Sequence, residues 1–110
     1  MPEDAAIAYN VTMRRAEAIR RLRREADALK ALGATSLYLF GSVVRNDAEA
    51  KSDLDLFLDY DPAKKFSLID LVDIKLFLED KLAIEVDVTT RDSLHPMLRD
   101  EIEQSAVRVF

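Results

Sequence analysis

LFGSVVRNDAEAKSDLDLFLDYD, residues 39–61, joins two halves that make sense only together. In the second half Leu54, Leu56 and Leu58 alternate with Asp53, Asp55, Phe57 and Asp59. A strand points successive side chains to opposite faces, so the leucines share a core face and Asp53 and Asp55 share the other. Two carboxylates at i and i+2 lie roughly 6–7 Å apart along a strand. Aspartate is a poor strand former, so two in alternation need a reason. Together they form a hard anionic oxygen site suited to Mg²⁺, which takes carboxylates, waters and substrate phosphate oxygens. In the first half, residues 36–40 (SLYLF) read as a buried strand. Gly41 then lets the backbone turn sharply or approach a ligand closely. Ser42 suits the N-cap of a short helical segment over residues 43–46. Free amides at such a turn favour phosphate oxygens. A phosphate-binding turn beside an Asp-x-Asp strand makes a nucleoside triphosphate site.

Gly41-Ser42, ten intervening residues and Asp53-Leu54-Asp55 resemble the signature of the DNA polymerase β-like nucleotidyltransferases. With Arg45, Ala48, Ser52 and Leu56 in place, the run is similar to the minimal nucleotidyltransferase (MNT) branch, and the resemblance covers residues 32–110. One departure is visible. Val44 and Asn46 stand where the family has a small residue and a glycine, although asparagine tolerates left-handed backbone better than most residues. The resemblance implies an α+β fold, a small mixed β-sheet with helices packed on one face, as in the polymerase β-like palm. It implies ATP as nucleotide donor, its phosphates held by Gly41 and Ser42. Arg45 either steadies those phosphates or pairs with an acid of its loop. It implies Mg²⁺, as two ions, on Asp53, Asp55 and a third acid. Asp87 occupies the matching point in a short apolar-Asp-apolar strand, and Glu85, on the same face, is its competitor. Finally, it implies a partner, a HEPN-domain ribonuclease toxin silenced when AMP is moved from ATP to one of its tyrosines. Two other readings stay open. The chain masks its partner sterically over an idle site, or it modifies a small molecule such as an aminoglycoside when joined to a helical subunit.

The 110 residues fit one small domain, residues 1–33 forming a helical segment ahead of a catalytic core at 34–110. There is no cysteine, so neither a disulfide nor a thiolate zinc site is available. A net charge of −5 gives no reason to expect direct nucleic-acid binding. No apolar run approaches the ~20 residues of a membrane span. The opening MPEDAAIAYN lacks the basic region of a signal peptide, and the expected location is the cytoplasm.

Along the rest of the chain, residues 10–32 predict one helix with Ile19, Leu22, Ala26 and Leu29 on a single face, stopped by Gly33. Its charges are expected to pair as Glu17 with Arg21 and Arg23 with Asp27. The arginines at 14, 15, 20, 21, 23 and 24 read as a solvated face, or else as a surface for phosphate or an acidic partner. Lys64 and Lys65 read as loop charges. Ser67 with Asp70 is a capping box opening a helix to about residue 81, whose apolar line is Ile69, Val72 and Leu76, widened by Leu68, Leu71 and Leu82. A third strand is expected over residues 83–89. A last helix, capped by Asp92 or Ser93 with Pro96 in its first turn, runs to about 103, and residues 105–110 form a terminal strand. His95, the only histidine, has little claim to acid–base work.

Overall fold

In the central strand the leucines all face the core, and Phe57 on the opposite face is buried as well. Leu54, Leu56 and Leu58 are fully buried, and the leucines at 37 and 39 of the preceding strand join them. The computed structural model describes residues 14–44 and 54–110, and only the backbone of Ser42. Its elements are α1 (Arg15–Arg23), α2 (Ala26–Ala31), β1 (Ala34–Phe40), β2 (Leu54–Tyr60), α3 (Leu68–Leu82), β3 (Val86–Thr90), α4 (Pro96–Ser105) and β4 (Val107–Arg108). Single 3₁₀ turns follow β1, at Gly41–Val43, and β3, at Arg91–Ser93.

The sheet has the order β3-β2-β1-β4. β1 is antiparallel to both β2 and β4, whereas β2 and β3 are parallel. A parallel pair needs a long crossover, and α3 supplies it. Ala18 and Leu22 of α1, Leu29 of α2, and Ile74, Leu78 and Leu82 of α3 all pack with the sheet leucines, Val86 and Val109 into one core. Three helices thus cover one face, as the resemblance implied. The other face carries the polar residues of β1, β2 and β3.

Four local expectations are corrected. The predicted N-terminal helix, whose first residues lie outside the described ones, is interrupted. Glu25 leaves helical backbone at φ −98° and ψ 9°, and its N–H bonds the Leu22 carbonyl at 3.0 Å, a tightened i→i−3 turn. Among the described residues Arg21 and Arg23 take no acidic partner. Arg21 donates to the Lys81 and Leu82 carbonyls and Arg23 to the Val109 carbonyl, tying α1 to the end of α3 and to the C-terminus. In α3 the buried line is Ile74, Leu78 and Leu82, not Ile69, Val72 and Leu76. Both lines are apolar at helical spacing, and periodicity alone cannot say which one meets the sheet. The third strand starts at Val86 instead of residue 83, because Ala83 adopts left-handed backbone, φ 59°, and terminates α3.

The capping box is present. The Ser67 hydroxyl accepts from Asp70 N–H, and the Asp70 carboxylate accepts from Ser67 N–H at 2.8 Å. Ser67→Ala is expected to cost about 1 kcal/mol of stability, read as a shifted urea midpoint with an unchanged slope. The last helix is capped differently from expectation. Pro96 opens it, and His95 is the N-cap, its Nδ1 accepting from Met97 N–H at 3.1 Å. Asp92 is occupied elsewhere, accepting from the Thr90 and Tyr60 hydroxyls.

Candidate active site

On the polar face the strands present three successive rows. In the first, Phe40 lies opposite Asp55, and Asp55 lies opposite Asp87. Directly opposed residues of neighbouring strands project from the same face, with strands ~4.8 Å apart. Asp55 and Asp87 therefore stand side by side, Asp55 half-buried and Asp87 exposed. Asp87, not Glu85, is the register partner of Asp55. Glu85 precedes the strand, and its carbonyl accepts from Leu54 N–H.

The turn after β1 closes over this row. Gly41 has φ +82°, where only glycine is at ease. A Cβ at Gly41 would overlap Asp55 Oδ2 and lie 3.1 Å from its Cγ. The glycine is therefore required twice, by its backbone and by the carboxylate packed against its Cα. Gly41, Ser42 and Val43 form the 3₁₀ turn that begins here, with Val44 still helical at φ −64°. Arg15 of α1 reaches the same turn, its Nη1 donating to the Val44 carbonyl at 3.4 Å. Asp53 and Arg45 lie outside the described residues. Among the described residues no set of three His, Cys, Asp or Glu side chains is placed to hold a metal. Lys64 and Lys65 follow the far end of β2 and are exposed, so they stay away from this row.

The second row is aromatic. Tyr38 stacks on Phe57 with centroids 4.8 Å apart, and Phe40 leans on the same ring at 5.7 Å. The third is ionic. Arg91 makes two bonds to the Asp59 carboxylate, at 2.8 and 3.0 Å, and a third to Glu103 of α4 at 2.8 Å. Its guanidinium also covers the rings of Tyr38 and Phe57, about 5 Å from each centroid. The Ser36 hydroxyl donates to Asp59 at 2.7 Å. Sequence reasoning did not single out Arg91. The signal was there, since period-two alternation continued past β3 puts Asp87, Thr89 and Arg91 on one face.

The bonds from Arg91 hold the Asp59 carboxyl below its ordinary 3.8, against the opposing effect of burial. Glu103 is likewise held below 4.5, again chiefly by Arg91. Depressed carboxyl groups contribute stability that is complete above their unfolded values and is lost as pH falls through the folded ones. Stability from this network should therefore be flat from pH 7 to about 5 and decline below about pH 4.5. In Arg91→Met that acid-side decline should be shallower, as measured by urea unfolding between pH 3 and 6.

A nucleotidyltransferase-domain family pattern matches residues 19–109. The chain belongs to the nucleotidyltransferase-domain family. It is accordingly an enzyme that transfers nucleotides. It is 44% identical over 72 residues to a Methanocaldococcus jannaschii protein named "Putative protein adenylyltransferase MJ0435", a match spanning 66% of this chain and 75% of that protein. A solved structure described as a "putative minimal nucleotidyltransferase" superposes with a TM-score of 0.63 at 32% identity, over 81% of this chain and 93% of the other. The fold is also that of an MNT antitoxin solved in complex with a tri-AMPylated Shewanella oneidensis HEPN toxin. Here the TM-score is 0.60 at 17% identity, over 84% of this chain and 71% of that one. Among the described residues no helix is long and apolar enough to cross a membrane.

Proposed function

We propose that this nucleotidyltransferase is an antitoxin that moves AMP from ATP to a tyrosine hydroxyl of a HEPN-domain toxin and silences it. The observation that carries the reading is the Asp55–Asp87 pair set against Gly41. Adenylyl transfer is the activity in the name of the M. jannaschii relative, and a HEPN toxin carrying AMP is what the Shewanella antitoxin accompanies.

The donor set suits Mg²⁺. Two hard carboxylates stand side by side, and the absence of a Cβ at Gly41 lets the Asp55 carboxylate pack directly against the turn. Asp53, Asp55 and Asp87 would hold it as two ions. When bound, Mg²⁺ supplies charge neutralisation at the triphosphate and at the attacking and leaving oxygens. The backbone amides at Gly41 and Ser42 receive the β and γ phosphates, with Arg45 steadying them. Asp87 accepts the proton of the acceptor hydroxyl. The hydroxyl oxygen attacks the α-phosphorus in line and forms the new O–P bond. The bond from the α-phosphorus to the bridging oxygen breaks, and pyrophosphate leaves. The step calls on no histidine, and His95, the only one in the chain, caps α4 through Nδ1.

The test is incubation with α-labelled ATP, Mg²⁺ and a HEPN-domain protein from the same genome. Label should pass to a tyrosine of the partner and be lost with Asp55→Asn. Inhibition of the partner without label, equal in Asp55→Asn, would instead mean steric masking. Label on a small aminoglycoside and none on protein would mean a small-molecule transferase.

A further inference from the structure

α3 is apolar on two sides, and the core uses only one. Leu68, Ile69, Val72 and Leu76 are 74, 72, 42 and 56% exposed. On a helix they fall within an arc of roughly 100°. A helix apolar all round is normally covered all round. At the N-terminal end of this stripe, beside Leu68, a groove of about 440 Å³ opens between Phe66, Leu71, Thr90 and Asp92. The rim is acidic. Asp73 and Asp80, both exposed, line one edge, and the groove adds Asp92. On the other edge Lys75 is already bound to Glu79 and to the Val86 carbonyl, so its charge is spent inside the molecule. The Lys75 and Glu79 side chains also bond the Val86 backbone, fixing α3 beside the neighbour of Asp87. Whatever lies along α3 therefore runs beside β3, the edge strand that carries Asp87.

We infer that the outer face of α3 is the surface on which the protein substrate docks, and that this partner lays across it an apolar helix flanked by lysines or arginines. The inference rests on the reading of the acceptor as a protein. Charge decides against a second copy of this chain. In an antiparallel helix pair the same edges meet, which sets Asp73 and Asp80 against their own images. In a parallel pair they meet the Lys75–Glu79 edge, whose lysine is already engaged. A basic-flanked partner satisfies the stripe and its rim together.

The experiment uses the full chain and a HEPN-domain protein from the same genome, with complex formation followed by sedimentation and transfer by α-labelled ATP. Ile69→Glu/Leu76→Glu should weaken the complex by about 100-fold. Its melting temperature should be no lower than that of the wild type, since both side chains are exposed in the free chain. Label transfer should fall at low partner concentration and recover at high concentration. Asp73→Lys/Asp80→Lys should weaken binding about tenfold and flatten its salt dependence. Asp55→Asn should bind normally and transfer nothing, which separates docking from chemistry. Wild-type affinity in the double glutamate variant would overturn the surface, as would a wild-type homodimer that this variant dissolves. A wild-type chain that binds no HEPN protein would overturn the partner reading and the occupant with it.

Discussion

Asp55→Asn should lower nucleotide transfer by ~10³-fold or more while leaving the fold in place. The amide keeps the shape of the side chain and removes its charge. In the mechanism we propose, charge is what the site needs, because the triphosphate and the oxygens exchanging at the α-phosphorus would be held by electrostatics rather than by a covalent intermediate. Asp87→Asn should give a loss of similar size, since its Cα is the register partner of Asp55. The double variant should be little worse than either single one, because groups that act as a unit are not additive. Glu85→Gln is the internal control. Glu85 sits two residues from Asp87 and outside the paired strand, and its substitution should leave the rate near wild type. Initial rates of label transfer at saturating ATP make the comparison, with thermal melts showing that each variant is folded. A rate for Asp55→Asn within tenfold of wild type would remove Asp55 from the chemistry.

The central strand and the face that Asp55 takes were legible because period two is a local code. Any register slip would have buried the aspartates and exposed the leucines. The parallel placement of β3 beside β2, which brings Asp87 to Asp55, is not local. It followed from resemblance, and no spacing in the chain states it. The two faces of α3 show where pattern reading runs out. Ile69, Val72 and Leu76 satisfy the helical period as well as Ile74, Leu78 and Leu82 do, and the choice is made by the sheet. Arg91 was missed for another reason. It follows β3 in a polar turn, and its importance comes from Asp59 and Glu103, 32 and 12 residues away. The N-terminal arginines read as a solvated face, and most are exposed, although Arg15, Arg21 and Arg23 each donate to a backbone carbonyl.

Gly41→Ala should damage both stability and activity, and the two losses have separate causes. The first is backbone. At φ +82° an alanine Cβ crowds the following carbonyl, a cost of about 1–2 kcal/mol. The second is the neighbour. The new methyl needs the volume now held by the Asp55 carboxylate, so that carboxylate must move. A displacement of order 1 Å at a reacting centre can cost about 10²-fold in rate. Gly33 separates the two effects. It too has a positive φ, +117°, and a Cβ there would press on the edge of Phe66, at the opposite end of β1 from the carboxylates. Gly33→Ala should therefore lose comparable stability and keep its specific activity below its melting point. Urea unfolding and label transfer on both variants make the test. If Gly33→Ala and Gly41→Ala lose activity equally, the effect is general loosening of the fold. If only Gly41→Ala does, the glycine shapes the site by leaving Asp55 its place.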